Sequence, residues 1–96
     1  MIVVRDVFTA KPGQASKLAK KFRAGHPADA KIRILTDVIG QYNTVILEWE
    51  FASLGDWEKL LEDYKAGNIP PQMADAMQGY TDMYLTGHRE ILQIVE

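Results

Sequence analysis

The chain has 96 residues, no Cys, 11 Lys and Arg against 13 Asp and Glu, and a formal net charge of −2. With 47% hydrophobic and 25% charged residues, its make-up is that of one globular domain spanning 1–96. The absence of Cys excludes a disulfide framework, a thiol nucleophile and a thiolate metal site, and the lack of a basic field makes nucleic acid a poor partner.

The opening MIVVRDVF meets Arg5 and Asp6 after a few apolar residues. It therefore reads as neither a leader peptide nor a membrane span, and a cytoplasmic protein without a membrane partner is expected. A chain of this size buries roughly 60–70% of the surface it exposes when unfolded. It holds one modest core, to which a partner chain would add.

Ile2–Thr9 is rich in Val, Ile, Phe and Thr and reads as a strand. Ile2, Val4, Asp6 and Phe8 fall on one face, and Val3, Arg5, Val7 and Thr9 on the other. Both faces are largely apolar, so both should be covered. Pro12-Gly13 turns the chain into a helix over Gln14–Ala24, where Ala15, Leu18, Ala19 and Phe22 form one apolar stripe. Lys17, Lys20, Lys21 and Arg23 take the other side as a solvated face, with an anion site as the lesser reading. Gly25 and Pro27 fit the helix stop.

Lys31–Ile39 and Thr44–Phe51 read as two strands joined through Gly40–Asn43 as a hairpin. In the second, Val45, Leu47, Trp49 and Phe51 alternate with Thr44, Ile46, Glu48 and Glu50, so one face packs on a core. Ser53 is a plausible N-cap for a helix carrying Leu54, Trp57, Leu61 and Tyr64 on one stripe and ending at Gly67. After Ile69-Pro70-Pro71, helical spacing resumes over Gln72–Leu85, with Met73, Ala76, Met77, Tyr80 and Tyr84 on one side and Gly79 inside it. Arg89–Val95 is a final strand.

The resulting order predicts an α+β protein, a ferredoxin-like βαββαβ fold with a four-stranded antiparallel sheet and an extra helix before the last strand. Right-handed crossovers place both principal helices on one face. The other face would then expose an apolar patch, which a second copy stacked sheet to sheet would cover. The expected assembly is a homodimer forming a dimeric α/β barrel.

The strand with its Lys-Pro-Gly turn (VVRDVFTAKPGQ), the Trp-bearing strand (TVILEWEF), the Ser-capped helix (SLGDWEKLLEDY) and the last strand (GHREILQIVE) resemble the dimeric α/β-barrel superfamily. Within it the layout is similar to NIPSNAP-like and antibiotic-biosynthesis-monooxygenase-like proteins, with the Pro-Pro-led helix leaning to the former. The resemblance implies a cavity between sheet and helices that takes an aromatic or polycyclic molecule. In the haem-degrading branch an Asn on the first strand, a Trp and a helical His carry the reaction. This chain has no Asn on its first strand and no His in its second helix, which speaks against haem degradation.

No metal or cofactor is expected. The two histidines, His26 and His88, lie far apart beside turns and read as surface residues, with His88 placed to overhang one end of the sheet. No GxSxG, GxGxxG or GxxxxGK occurs. The strand charges are the better lead. Arg5, on a central strand, and Glu48, on its neighbour, should share the face turned from the helices, either as a structural ion pair in the dimer interface or as a polar anchor in a small-molecule cavity. Arg33 and Asp37 flank them and are expected on an edge of that layout, where they would be solvated. Trp49 and Trp57 have core spacing, with ligand stacking the alternative. Tyr80 and Tyr84 sit with Met73, Met77 and Met83 on the third helix, as a pocket lid or a cover for the sheet end.

The candidate ligand-binding residues are therefore Arg5, Glu48, Trp49, Tyr80, Tyr84 and His88. Three functions fit: a small homodimer binding an apolar or aromatic molecule, a cofactor-independent monooxygenase, and an interaction module presenting an exposed helix. The first asks least of the sequence.

Overall fold

The computed structural model describes residues 1–26 and 31–95. Strand β1 (Ile2–Ala10) leads to helix α1 (Ala15–Gly25), then the hairpin of β2 (Ile32–Thr36) and β3 (Thr44–Phe51). Helix α2 (Leu54–Lys65), the short α3 (Pro71–Ala76), a single 3-10 turn over Tyr80–Asp82 and β4 (Tyr84–Gln93) follow. The four strands form one antiparallel sheet in the order β2-β3-β1-β4. This is the ferredoxin-like arrangement expected from the element order. Pro27 falls outside the described residues.

The β1–β3 register sets Val4 against Trp49, Asp6 against Leu47 and Phe8 against Val45. These residues look toward the helices, and Val4, Val45, Leu47 and Trp49 are buried there. Leu18 and Phe22 of α1 close over them and are almost wholly inaccessible. Burying two such side chains stabilises the domain by about 1.5–3 kcal/mol each. The Ser53 cap is present: its Oγ accepts from the Asp56 amide at 3.3 Å. Yet no residue of α2 is fully buried, and Leu54 is exposed. The stripe expected to seal α2 to the sheet only partly does so.

Three element boundaries differ from the sequence reading. The strand expected to run to Ile39 stops at Thr36, because the Asp37 carboxylate accepts the Thr44 amide at 2.9 Å and starts the loop there. Val38 and Ile39 are almost fully exposed, so their apolar character reflects no strand face. The helix expected over Gln72–Leu85 ends at Ala76, and Gly79 adopts φ 80°, a left-handed conformation that no helix continues through. Tyr84 opens β4, opposite Ala10, where Arg89 had been expected to start the strand. The Tyr80/Tyr84 spacing of four residues thus joins a turn to a strand.

Candidate functional site

Because α2 stands off the sheet, a cleft of about 310 Å³ lies between the sheet and the segment from α2 to the 3-10 turn. Its floor is Asp6, Phe8, Leu47 and Trp49, all on the helix-side face of β1 and β3. Its walls include Phe22, His26, Tyr64, Met73, Met77 and Tyr80. Four aromatic rings frame one end in a closed circuit. Phe8 lies 5.2 Å from Phe22 and 4.8 Å from Tyr84, and Tyr80 lies 6.0 Å from Phe22 and 6.1 Å from Tyr84, between ring centroids. At the other end Trp49 meets Tyr64 edge-on at 6.4 Å and His26 at 5.7 Å.

The charged feature of the cleft is the pair Asp6 and Arg89, directly opposite in the β1–β4 ladder. Arg89 Nε donates to Asp6 Oδ1 at 2.6 Å and its terminal nitrogen to Oδ2 at 3.4 Å. The guanidinium also stands 5.4 Å from the Trp57 ring centroid, a cation–π contact. The pair is neutral overall, and the remaining guanidinium N–H groups can still donate to an oxygen acceptor. Burial and then the Asp6 carboxylate push the Tyr64 phenol above its ordinary value. Burial acts likewise on Tyr80, reinforced by Tyr84 and Asp6 and opposed by Arg89. Both phenols are therefore neutral at ordinary pH, and each offers one donor.

His26 is buried, contrary to the surface position expected for it. Its Nδ1 lies 2.6 Å from the Phe22 carbonyl, one of the carbonyls left open at the end of α1. The imidazole thus serves as a side-chain cap, and that role brings it onto the cleft wall.

Trp49 and Tyr80 of the sequence candidates line this cleft. Tyr84 stands behind Phe8 beside a shallower depression that also reaches His88. Arg5 and Glu48 lie on the opposite face of the sheet, as their alternation predicted, and pair across it. There β2, β3, β1 and β4 contribute Arg33, Glu48, Arg5 and Glu90 to one row in register. Arg33 hydrogen-bonds to Glu48, Arg5 lies 3.6 Å from Glu90, and His88 lies 3.2 Å from Glu90. So the candidates divide between two faces and do not form one site. Sequence reasoning passed over Asp6, His26, Tyr64 and Arg89. The available signal was Asp6 itself, a carboxylate in phase with Val4 and Phe8. Among the described residues, no three His, Asp or Glu side chains converge on a metal position.

No protein-family model matches the sequence, nor does any curated protein. Solved structures do match the fold. An uncharacterized NIPSNAP domain protein from Burkholderia xenovorans superposes with a TM-score of 0.78 at 16% identity, covering 99% of this chain and 95% of that one. A NIPSNAP family protein from Agrobacterium tumefaciens gives 0.77 at 17% identity, over 99% and 86%. A protein from Nitrosomonas europaea provisionally assigned as an antibiotic biosynthesis monooxygenase gives 0.71 at 13% identity over 100% of both chains. The chain therefore has the ferredoxin-like fold shared by NIPSNAP-domain and antibiotic-biosynthesis-monooxygenase-like proteins.

Proposed function

We propose that this protein is a homodimer that binds a small apolar or aromatic molecule in the cleft between sheet and helices. The observation that carries the reading is the cleft lining: aromatic and Met side chains around a single neutralised ion pair. A concave, mostly apolar site with a few convergent polar groups is what small-molecule recognition requires. The dimer rests on the helix-free face, where Val3, Val7, Leu35 and Ile46 remain half-buried and Leu92 is exposed in one chain. A second copy stacked there removes that surface from water.

The test is a titration with small aromatic probes, followed by tryptophan fluorescence, since Trp49 lines the cleft and Trp57 backs Arg89. Saturable binding of one probe per chain is expected, weakened at least about tenfold by Met73→Glu at unchanged circular dichroism. A panel that binds nowhere below about 1 mM overturns the reading. Sedimentation that returns a monomer mass at micromolar concentration removes the dimer from it.

A second reading, cofactor-independent monooxygenation, follows the name carried by the Nitrosomonas europaea structure. It requires oxygen uptake above the uncatalysed rate with a hydroxylated aromatic that binds. Binding without uptake leaves the first reading alone.

A further inference from the structure

His26 is 6% exposed and lies on the cleft wall. A carbonyl oxygen only accepts, so the 2.6 Å contact to the Phe22 oxygen requires the proton to be on Nδ1. In the neutral ring this fixes the tautomer and leaves the Nε2 lone pair as an acceptor. Among the described residues nothing hydrogen-bonds to Nε2. The adjacent Trp49, 5.7 Å away between centroids, carries a buried indole N–H that also has no partner. One end of an otherwise apolar cleft thus holds the Nε2 acceptor of His26 beside the buried indole N–H of Trp49. A ligand group that donates to Nε2 gains a hydrogen bond inside a mostly apolar cleft, where it is worth more than in water.

A hydroxyl group is the smallest group that both donates and accepts. Both oxygens of Asp6 are engaged by Arg89, which leaves His26 as the uncommitted nitrogen acceptor of the cleft. We propose that His26 is a specificity-determining residue: through Nε2 it selects an aromatic or other apolar ligand that carries a hydroxyl. This rests on the reading of the cleft as a binding site. It adds the polar group that the ligand must bear and the atom that reads it.

The test compares 2-naphthol with 2-methoxynaphthalene, which has the same ring system and an oxygen that accepts but does not donate. The wild-type protein should bind 2-naphthol at least about tenfold more tightly, which is within reach of one buried hydrogen bond. His26→Phe should bind both probes alike. Nitrogen NMR on the wild-type protein keeps the proposal testable should that variant fail to fold. With only two histidines, the exposed His88 serves as an internal control. At pH 8 His26 should show the Nδ1–H tautomer, and its Nε2 resonance should move with 2-naphthol and not with the ether. Equal affinities for the two probes, or an Nε2–H tautomer, overturn the proposal while leaving the cleft reading intact. Binding of neither probe overturns the proposal, and the cleft reading falls with it only when the rest of the aromatic panel also fails to bind.

Discussion

Arg5 and Glu48 face each other across the β1–β3 ladder, with Arg5 Nε 3.3 Å from Glu48 Oε2. The approach satisfies an ion pair, but the N–H is not aligned for a hydrogen bond, and Nε stays buried without one. Glu48 has a second cation, since Arg33 Nε donates to its other oxygen at 3.0 Å. The Glu48 side chain is 10% exposed, so its charge is costly unless compensated.

Removing Arg5 alone therefore leaves Glu48 one partner. Arg5→Met together with Arg33→Met leaves it none and should cost more than the sum of the two single changes. Adding Glu48→Leu to that pair should return most of the loss, because the desolvation penalty leaves with the charge. Urea midpoints of the four variants and the wild type check this. Single effects that add within about 0.3 kcal/mol would show that Glu48 does not couple its two cations.

A second prediction concerns where the stability resides. Phe22 is wholly buried, whereas Leu61 is only half-buried on α2, the helix that stands off the sheet. Phe22→Ala should cost about 3–5 kcal/mol and Leu61→Ala about 1–2 kcal/mol, since little cavity forms where the wall is already open. Glu58→Ala, exposed on α2, should stay within about 0.5 kcal/mol. Equal losses at Phe22 and Leu61 would mean that α2 closes on the sheet and that the cleft is not present in solution.

The two cleft phenols make an alkaline prediction. Tyr64 and Tyr80 are both raised from 10.0, burial being the first cause for each. The folded state therefore holds these protons more tightly than the unfolded state. The stabilisation is complete below pH 10 and declines as pH rises through the raised folded-state values. Above pH 10 the wild-type protein should lose stability faster than Tyr64→Phe/Tyr80→Phe, in which lysine titration is unchanged. Asp6→Asn should lower both phenol midpoints, as read by tyrosinate absorbance, because it removes the carboxylate that opposes their ionisation. Parallel stability curves for the wild type and the double variant would place both phenols in water.

Much of this architecture was legible because its cues are periodic and local. The alternation Val45, Leu47, Trp49 names the buried face of β3, and Leu18 with Phe22 names that of α1. Arg5 and Glu48 could be placed on one face because a period of two admits no intermediate position. The cleft was less legible, because it depends on how far α2 stands from the sheet, a distance that helical periodicity does not encode. His26 was misread for a related reason. A residue just past a glycine stop looks solvent-bound in sequence, yet here its ring turns back to the Phe22 carbonyl. Tyr84 shows the remaining difficulty: the 3-10 turn ends at Asp82 and β4 begins at Tyr84, so two tyrosines whose spacing alone is helical belong to different elements.

Gly87 tests the packing around the cleft's aromatic end. It stands opposite Phe8 in the β1–β4 ladder, and a Cβ placed on it would sit 3.0 Å from Phe8 Cδ1 and 3.1 Å from Cε1. Phe8 is flanked by Phe22 and Tyr84, so its ring can yield chiefly toward the cleft it lines. Two effects oppose each other in Gly87→Ala. A less flexible unfolded chain would add about 0.4–1 kcal/mol of stability, while overpacking against an aromatic ring costs about 1–3 kcal/mol. The clash should win, giving a net loss together with weaker binding of any cleft probe as Phe8 moves inward. Phe8→Leu in the Gly87→Ala background should recover part of the stability, since the smaller side chain makes room for the methyl group. The double-mutant cycle in urea reads this as a favourable coupling between the two positions. A higher midpoint for Gly87→Ala alone would show that Phe8 has space to retreat, and that the aromatic circuit does not fix the floor of the cleft.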